Sequence, residues 1–223
     1  MIISYLKTAL RGITKNKFYS FLNIIGLSVG LAAFIFILIY VRTEASYDQY
    51  HEKHERIHRL ESNFTISGKN DQFGIVPIPM APTLKTEFPE IENFVRFSDA
   101  GNQLLRYENK ESYEKNFFFA DSTIFDVFTH PMILGNPKTA LVEPNTAVLT
   151  QSTAKKYFED ENPLGKILLD AENNQFKVTG VIEDLPANSH LKFDGLFSAA
   201  TLAARMGEER FNTTEPVSFW NIG

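Results

Sequence analysis

The chain has 223 residues, with 22 basic and 27 acidic side chains and no cysteine. The lack of cysteine excludes disulfides, zinc–thiolate sites and a thiol nucleophile. All acidic side chains lie at Glu44 or later, so residues 1–43 carry a net charge of +5 and residues 44–223 a net charge of −10. The acidic part lacks the clustered basic face that nucleic-acid binding requires, and it is long enough to bury its own core.

An uncharged apolar run joins these two parts. Residues 18–41 read FYSFLNIIGLSVGLAAFIFILIYV; as a helix these 24 residues are about 36 Å long, against roughly 30 Å for a hydrocarbon core. A cleavable signal peptide is the alternative, but its apolar region has roughly 7–15 residues and ends in a small-residue cleavage site. This run is longer and ends at Ile39-Tyr40-Val41-Arg42, which favours a retained transmembrane helix.

The flanking charges predict the orientation of that helix. Four Lys or Arg and no acid precede it, whereas the residues after it carry both signs. Because Lys and Arg concentrate on the cytoplasmic side, residues 1–17 are expected to be cytoplasmic and residues 42–223 extracytoplasmic. Lys7, Arg11 and Lys15 lie off the apolar face of a short predicted helix, which suits an amphipathic docking segment at the inner interface. A merely basic tail is the alternative.

Two glycines within the run form a Gly-x-x-x-Gly pair, Gly26 and Gly30. Small residues at this spacing let helix backbones approach closely, so the pair predicts a helix-packing face. Glycines are also common in spanning helices in general. The packing partner is either another copy of the chain or another helix of a larger bundle.

A charged segment follows the apolar run, and residues 42–60 are predicted to form a stalk helix that continues it. His54 and His58 are four apart and therefore share a helical face, which makes them weak candidates for metal binding. A metal site also needs a third ligand and an enclosed geometry. A solvated stalk is the favoured interpretation.

Residues 61–223 predict a domain of short strands and helices, which gives the whole chain an α+β class. The elements predicted in its first half are a strand at 60–66, a turn at 67–70, a helix at 81–87, an antiparallel meander from 94–97, 104–107 and 113–119, and a helix at 122–128 with Asp121 as N-cap. A dense group of aromatics is expected in the core, with a functional groove as the alternative: Phe117, Phe118, Phe119, Phe125 and Phe128.

The second half of the domain has the most regular pattern. The predicted elements are a strand at 146–149, a helix at 151–158 capped by Thr150, a turn at 162–165, a hairpin of 166–169 with 176–182, an extended segment at 191–198 and a helix at 199–206.

Three stretches of this second half carry a resemblance: Thr-Ala-Lys-Lys-Tyr-Phe at 153–158, Asn-Pro-Leu-Gly-Lys at 162–166 and Thr-Gly-Val-Ile-Glu-Asp at 179–184. In this order, after a basic N-terminus, one span and a stalk, the chain resembles FtsX-family ABC transporter permeases with a MacB-like periplasmic core domain. Two features depart from the family pattern. Glu159 stands where the family often has Gly, and such permeases carry at least three more spanning helices, so the chain resembles an N-terminal part whose core domain is incomplete at its C-terminus.

The resemblance implies a permease subunit in the bacterial inner membrane that couples ATP hydrolysis by a cytoplasmic ABC ATPase to motion of the extracytoplasmic domain, for export or for lipoprotein or peptide handling. The implied partners are that ATPase, further permease helices or a second permease copy, periplasmic or outer-membrane components and the lipid bilayer, and no nucleic acid. The chain itself is expected to hold no cofactor, because the partner would bind ATP.

Catalytic motifs give no support to an enzyme. A P-loop would need Gly at Asp160 and a hydroxyl at Ile167, and neither a Gly-x-Ser-x-Gly nor a His-Glu-x-x-His motif occurs. We therefore expect no enzymatic activity. The alternatives to a permease are a single-span receptor whose extracytoplasmic domain binds a ligand, and an envelope adaptor without an ATPase.

Overall fold

The computed structural model describes residues 15–66, 69–74, 76–207 and 216–217, together with Tyr5, Lys7, Arg11 and Phe211. Chain contacts divide it into two compact units, Met1–Tyr47 and Asp48–Gly223. The helices are α1 (Lys17–Ala45), α2 (Met80–Glu87), α3 (Ile124–Val127), α4 (Gln151–Phe158) and α5 (Ala200–Met206). The strands are β1 (Ser62–Ile66), β2 (Lys69–Phe73), β3 (Val76–Pro77), β4 (Phe97–Asp99), β5 (Gln103–Tyr107), β6 (Lys110–Glu114), β7 (Phe117–Ala120), β8 (Met132–Gly135), β9 (Thr146–Thr150), β10 (Ile167–Leu169), β11 (Gln175–Ile182), β12 (Gly195–Ser198) and β13 (Pro216–Val217).

The second unit is built on one large mixed sheet. Over the described residues the sheet has nine strands in the order β4-β7-β12-β9-β11-β10-β5-β6, with β8 also paired to β11. The pairs β7–β12 and β9–β11 are parallel, and the other pairs are antiparallel. This confirms one N-terminal apolar helix followed by a mixed α/β domain.

Both faces of the sheet are buried, because successive side chains of a strand point to opposite faces. On β9, Ala147 and Leu149 face a cluster that includes Tyr157 of α4. Val148, between them, faces a second cluster that includes Ile124 of α3. The central strands are therefore continuous apolar runs without polar alternation.

Most predictions for the second half of the domain are confirmed. The Thr150 hydroxyl accepts a hydrogen bond from the Thr153 backbone N–H and caps α4. Strands β10 and β11 form the predicted antiparallel hairpin, and β12 and α5 fall within the predicted extended and helical segments. In the first half, α2 and β1 are also confirmed. The predicted turn at 67–70 is shorter, since Lys69 already pairs with Ile66, and residues 67–68 lie outside the described residues.

The predicted meander is wrong. Strand β4 pairs with β7, and β5 pairs with β6 and β10, so β4 and β5 lie far apart in the sheet. The run predicted at 113–119 is divided between β6 and β7. The local alternation of apolar and polar residues identified the strands, but it could not identify which strands pair. Strand pairing is fixed by the burial of both faces of the sheet.

Asp121 is not a helix cap. Its two carboxylate oxygens accept hydrogen bonds from Arg96 Nε and Nη2 at 2.9 and 2.8 Å, and one also accepts the Arg96 backbone N–H. Helix α3 begins after Thr123 and has no side-chain cap. A two-point ion pair between largely buried groups is a stronger interaction for the carboxylate than a cap on a four-residue helix.

The aromatic group lies in the core, as the packing interpretation predicted. Phe117, Phe119 and Phe128 are buried, and Phe118 and Phe125 pack partly buried against the cluster around α3.

Candidate functional site

Helix α1 is the first candidate for a functional element. Its 29 residues correspond to about 43 Å, and none of its side chains is buried. Large apolar side chains are exposed all round it, among them Phe18, Leu27 and Phe36. In water this exposure is unfavourable by about 25 cal/mol for each Å² of apolar surface. Among the described residues it is the one helix long and apolar enough to cross a membrane.

The glycine pair of α1 presents an open face. A Cβ atom built on Gly26 or Gly30 would meet no described atom within 4 Å. The structure therefore leaves room for a partner helix at these positions. Whether one binds there stays a prediction.

The basic docking segment is only partly described. Lys7, Arg11 and Lys15 are helical and exposed, as an amphipathic interfacial helix requires, and most of their neighbours in residues 1–14 lie outside the described residues. Their role in docking stays a prediction.

The predicted stalk helix over residues 42–60 is wrong beyond Ala45. The Ser46 hydroxyl donates a hydrogen bond to the Thr43 carbonyl, and turns and one short 3₁₀ turn at His54–Arg56 follow. Asp48 has a φ of +56°, a left-handed conformation that ends helices. We call residues 48–60 the junction segment, because they form the start of the second unit, shortly after the end of α1.

Asp48 anchors the start of the junction segment to the loop at residues 188–190. Its backbone N–H donates to the Asn188 carbonyl at 3.0 Å. Its carboxylate accepts the His190 backbone N–H at 2.9 Å and lies 2.7 Å from His190 Nδ1. The Ser189 hydroxyl contacts both Asp48 and the Tyr50 hydroxyl, at 3.4 and 2.9 Å. These contacts fix the loop to the segment.

His51 inserts into the domain three residues later. Its ring is only 2% exposed and lies between Tyr50 and Phe128, with ring centroids 3.9 and 5.0 Å away. The Thr129 backbone N–H donates to His51 Nδ1 at 3.1 Å. The neutral ring therefore carries its proton on Nε2, and this atom has no hydrogen-bond partner among the described residues. Burial lowers the pKa of His51, the nearby Asp48 charge raises it and His54 lowers it.

His130 lies edge-to-face against His51, with ring centroids 5.6 Å apart. It packs against Phe128 and Phe193 and is also buried, and its Nε2 has no partner among the described residues. Burial, together with His51, lowers the pKa of His130 to about 3. Sequence reasoning missed this pair, because the two histidines are 79 positions apart and neither belongs to a motif.

The predicted metal candidates lie outside this buried pair. His54 Nδ1 lies 2.9 Å from the His51 carbonyl oxygen, and His58 is exposed. Among the described residues no three His, Asp or Glu side chains are placed to hold a metal ion. His54 and His58 therefore lack the third ligand that a site would need.

An ion pair and a hydrogen bond on the surface also connect the junction segment to the domain. Arg56 pairs with Glu92, and Lys53 Nζ donates to the Asp126 carbonyl at 2.8 Å. Ile57 packs against the core cluster around α3. Exposed pairs of this kind contribute at most about 1 kcal/mol each, so the buried rings and the Asp48 contacts hold the segment.

One of the sequence stretches that carry the resemblance, residues 153–158, has a structural role. Tyr157 of α4 donates to Glu114 Oε1 at 2.5 Å and Lys156 lies 2.6 Å from the same oxygen, so a nearly buried carboxylate of β6 ties the sheet edge to the helix. Burial and this carboxylate raise the pKa of Tyr157. Glu159 ends the helix with φ +54° and ψ −112°, a conformation that suits glycine.

Comparison with known proteins agrees with this architecture. Residues 20–219 match the family described as the MacB-like periplasmic core domain. The chain belongs to this family. Among curated proteins, the macrolide export ATP-binding/permease protein MacB of Marinobacter nauticus is 31% identical over 194 residues, which is 82% of this chain and 29% of that protein. The chain thus spans less than a third of the length of the curated relative that it matches.

Solved structures support the same fold. A crystal structure of a domain assigned to a permease protein of Porphyromonas gingivalis is similar, with a TM-score of 0.67, 25% identity and coverage of 78% of this chain and 74% of that one. The periplasmic region of MacB from Actinobacillus actinomycetemcomitans has a TM-score of 0.51, 20% identity and coverage of 66% and 64%. At this identity the second likeness concerns the fold alone.

Proposed function

We propose that this MacB-like chain is the N-terminal part of an ABC transporter permease of the FtsX family. One observation carries the proposal: the family match over residues 20–219 begins inside the apolar helix and continues through the sheet domain. The curated relative is named as an ATP-binding/permease protein, which supports a link to ATP hydrolysis. The exposed apolar helix supplies the membrane attachment that a permease needs.

The proposed location is the bacterial inner membrane, with residues 1–17 cytoplasmic and residues 42–223 extracytoplasmic. The charge asymmetry supports this orientation, since residues 1–43 carry basic but no acidic side chains. Lys7, Arg11 and Lys15 would then face the side on which a nucleotide-binding partner resides.

The proposed role of this chain is to transmit motion from the membrane helices to the extracytoplasmic domain. A cytoplasmic ABC ATPase would bind and hydrolyse ATP, and the spanning helices of the transporter would move in response. Residues 42–60 contain neither Gly nor Pro, and the Asp48 and His51 contacts fix their second part to the domain. A displacement of α1 would be passed to the domain through this stretch. No residue of this chain is proposed to carry out chemistry.

Affinity purification of the native full-length protein from its own membranes tests the proposal. We expect a vanadate-sensitive ATPase to co-purify. Reversing the three basic charges (Lys7→Glu, Arg11→Glu, Lys15→Glu) should lower its recovery about tenfold or more, because three attractive contacts become repulsive. Lys138→Glu, which changes an exposed lysine of the domain, should leave recovery unchanged.

The two possible failures have different meanings. Purification of the intact protein without any ATP-hydrolysing partner would contradict the permease proposal and favour the receptor or the adaptor. Unchanged ATPase recovery with the triple variant would leave the permease proposal in place and remove the basic segment as its docking element.

A further inference from the structure

The buried histidine pair couples the junction segment to the domain through a contact that only neutral rings can make. His51 Nδ1 must be unprotonated to accept the Thr129 N–H, and a protonated imidazole would present a donor to that donor. His130 lies 5.6 Å from His51, so a positive charge on both rings would also be repulsive. A charge on either ring would lie at a site nearly closed to water.

We propose that the His51–His130 pair is a pH-sensitive latch, which holds the junction segment on the domain while both imidazoles are neutral and releases it when they become protonated. The released part is the junction segment, residues 48–60, which forms the start of the second unit. Release would expose the Thr129 N–H and the ring of His130.

The direction of the pH effect follows from burial. The unperturbed pKa of histidine is 6.5, and burial lowers the pKa of His130 to about 3 in the docked state. Docking is therefore fully favourable above pH 6.5 and weakens as the pH falls from 6.5 toward 3. For one such histidine the docked population relative to the open one falls about thirtyfold between pH 7.5 and pH 5.

Other titratable groups surround the pair and act on it. The titratable side chains around His51 and its adjoining cavity are Asp48, Tyr50, His54, Arg59, His130 and His190. Glu52, Lys53 and Asp126 line a cavity together with His130. The Asp48 charge favours a protonated His51 and therefore opposes release. The neighbouring His54 acts in the opposite sense, because it lowers the pKa of His51. Down to pH 5 ordinary carboxylates stay ionised, so the histidines dominate the change in this range.

Hydrogen exchange of the full chain in detergent micelles tests the latch, with rates corrected for the intrinsic pH dependence of exchange. The reporters are the backbone amides of Thr129, bonded to His51, and of Glu52, bonded to the Thr129 hydroxyl. Their protection should fall about thirtyfold between pH 7.5 and pH 5. Protection of β9, in the middle of the sheet, should stay unchanged.

Variants separate the pair from other histidines. In the double variant His51→Asn with His130→Phe, the Asn oxygen can still accept the Thr129 N–H and the Phe ring keeps the aromatic packing, so protection should hardly depend on pH. His58→Asn removes an exposed histidine of the same segment and should behave like the original protein. An unchanged pH dependence in the double variant, or an equal loss of protection in β9, would overturn the latch.

A measurement on the unmodified chain keeps the proposal falsifiable if the double variant does not fold. Histidine ring NMR signals report each pKa directly. His130 should remain neutral at pH 5 as long as the Thr129 amide is protected. Titration of His130 near pH 6.5 with the segment still docked would refute the latch.

Discussion

Glu159 is a residue whose backbone and side chain have opposing preferences. Its φ of +54° with ψ of −112° belongs to glycine, whereas its carboxylate pairs with Lys110 at 2.7 Å. The hydrogen bond from Lys110 lowers the pKa of Glu159. The side chain is largely exposed, so water screens the ion pair and weakens it. The unfavourable backbone conformation therefore has the larger effect on stability.

Replacing this residue tests the balance. Glu159→Gly should raise the Tm of the chain by about 2 to 4 °C, because glycine adopts the required backbone conformation without strain. Thermal unfolding followed by circular dichroism measures the shift. Glu159→Ala is the matched control, since it removes the carboxylate but keeps Cβ, and its Tm should stay the same or fall. An equal rise in Tm in both variants would show that the effect comes from loss of the carboxylate charge.

Elements whose signals are local could be predicted from the sequence. Thr150 caps α4 through a residue three positions away, and the turn before β10 lies within a few residues. The pair of Arg96 and Asp121 spans 25 positions and the contact of Asp48 with His190 spans 142. Contacts between residues so far apart in the sequence form only in the folded domain. A local sequence pattern could not show them, and it wrongly predicted Asp121 as a helix cap and residues 42–60 as a helix.

The apolar helix is the element for which we predict a packing partner. Replacing Gly26 and Gly30 by Leu should weaken helix association about fivefold or more, because the added side chains separate the backbones. Cross-linking of the purified complex, with recovery of the partner helix or copy, measures this. Ala32→Leu adds similar bulk about 200° round the helix from Gly30 and should have a smaller effect. Equal effects of both changes would remove the packing face.

At the scale of the whole molecule, the charge division of the sequence matches the division into units. The five basic residues before Glu44 belong to Met1–Tyr47, and nearly all acidic residues belong to Asp48–Gly223. A slightly acidic composition is thus the sum of a basic apolar unit and an acidic sheet domain. The family match shows that the domain is of the periplasmic type. The proposed coupling depends on the orientation of the chain across the membrane.

Cysteine labelling tests that claim most directly, because the chain has no cysteine of its own. Single variants Tyr5→Cys and Lys138→Cys each place a thiol at an exposed position, one in each unit. In spheroplasts treated with a membrane-impermeant maleimide, Lys138→Cys should be labelled at once and Tyr5→Cys only after permeabilisation. Labelling of Tyr5→Cys in intact spheroplasts, or protection of Lys138→Cys, would contradict the account.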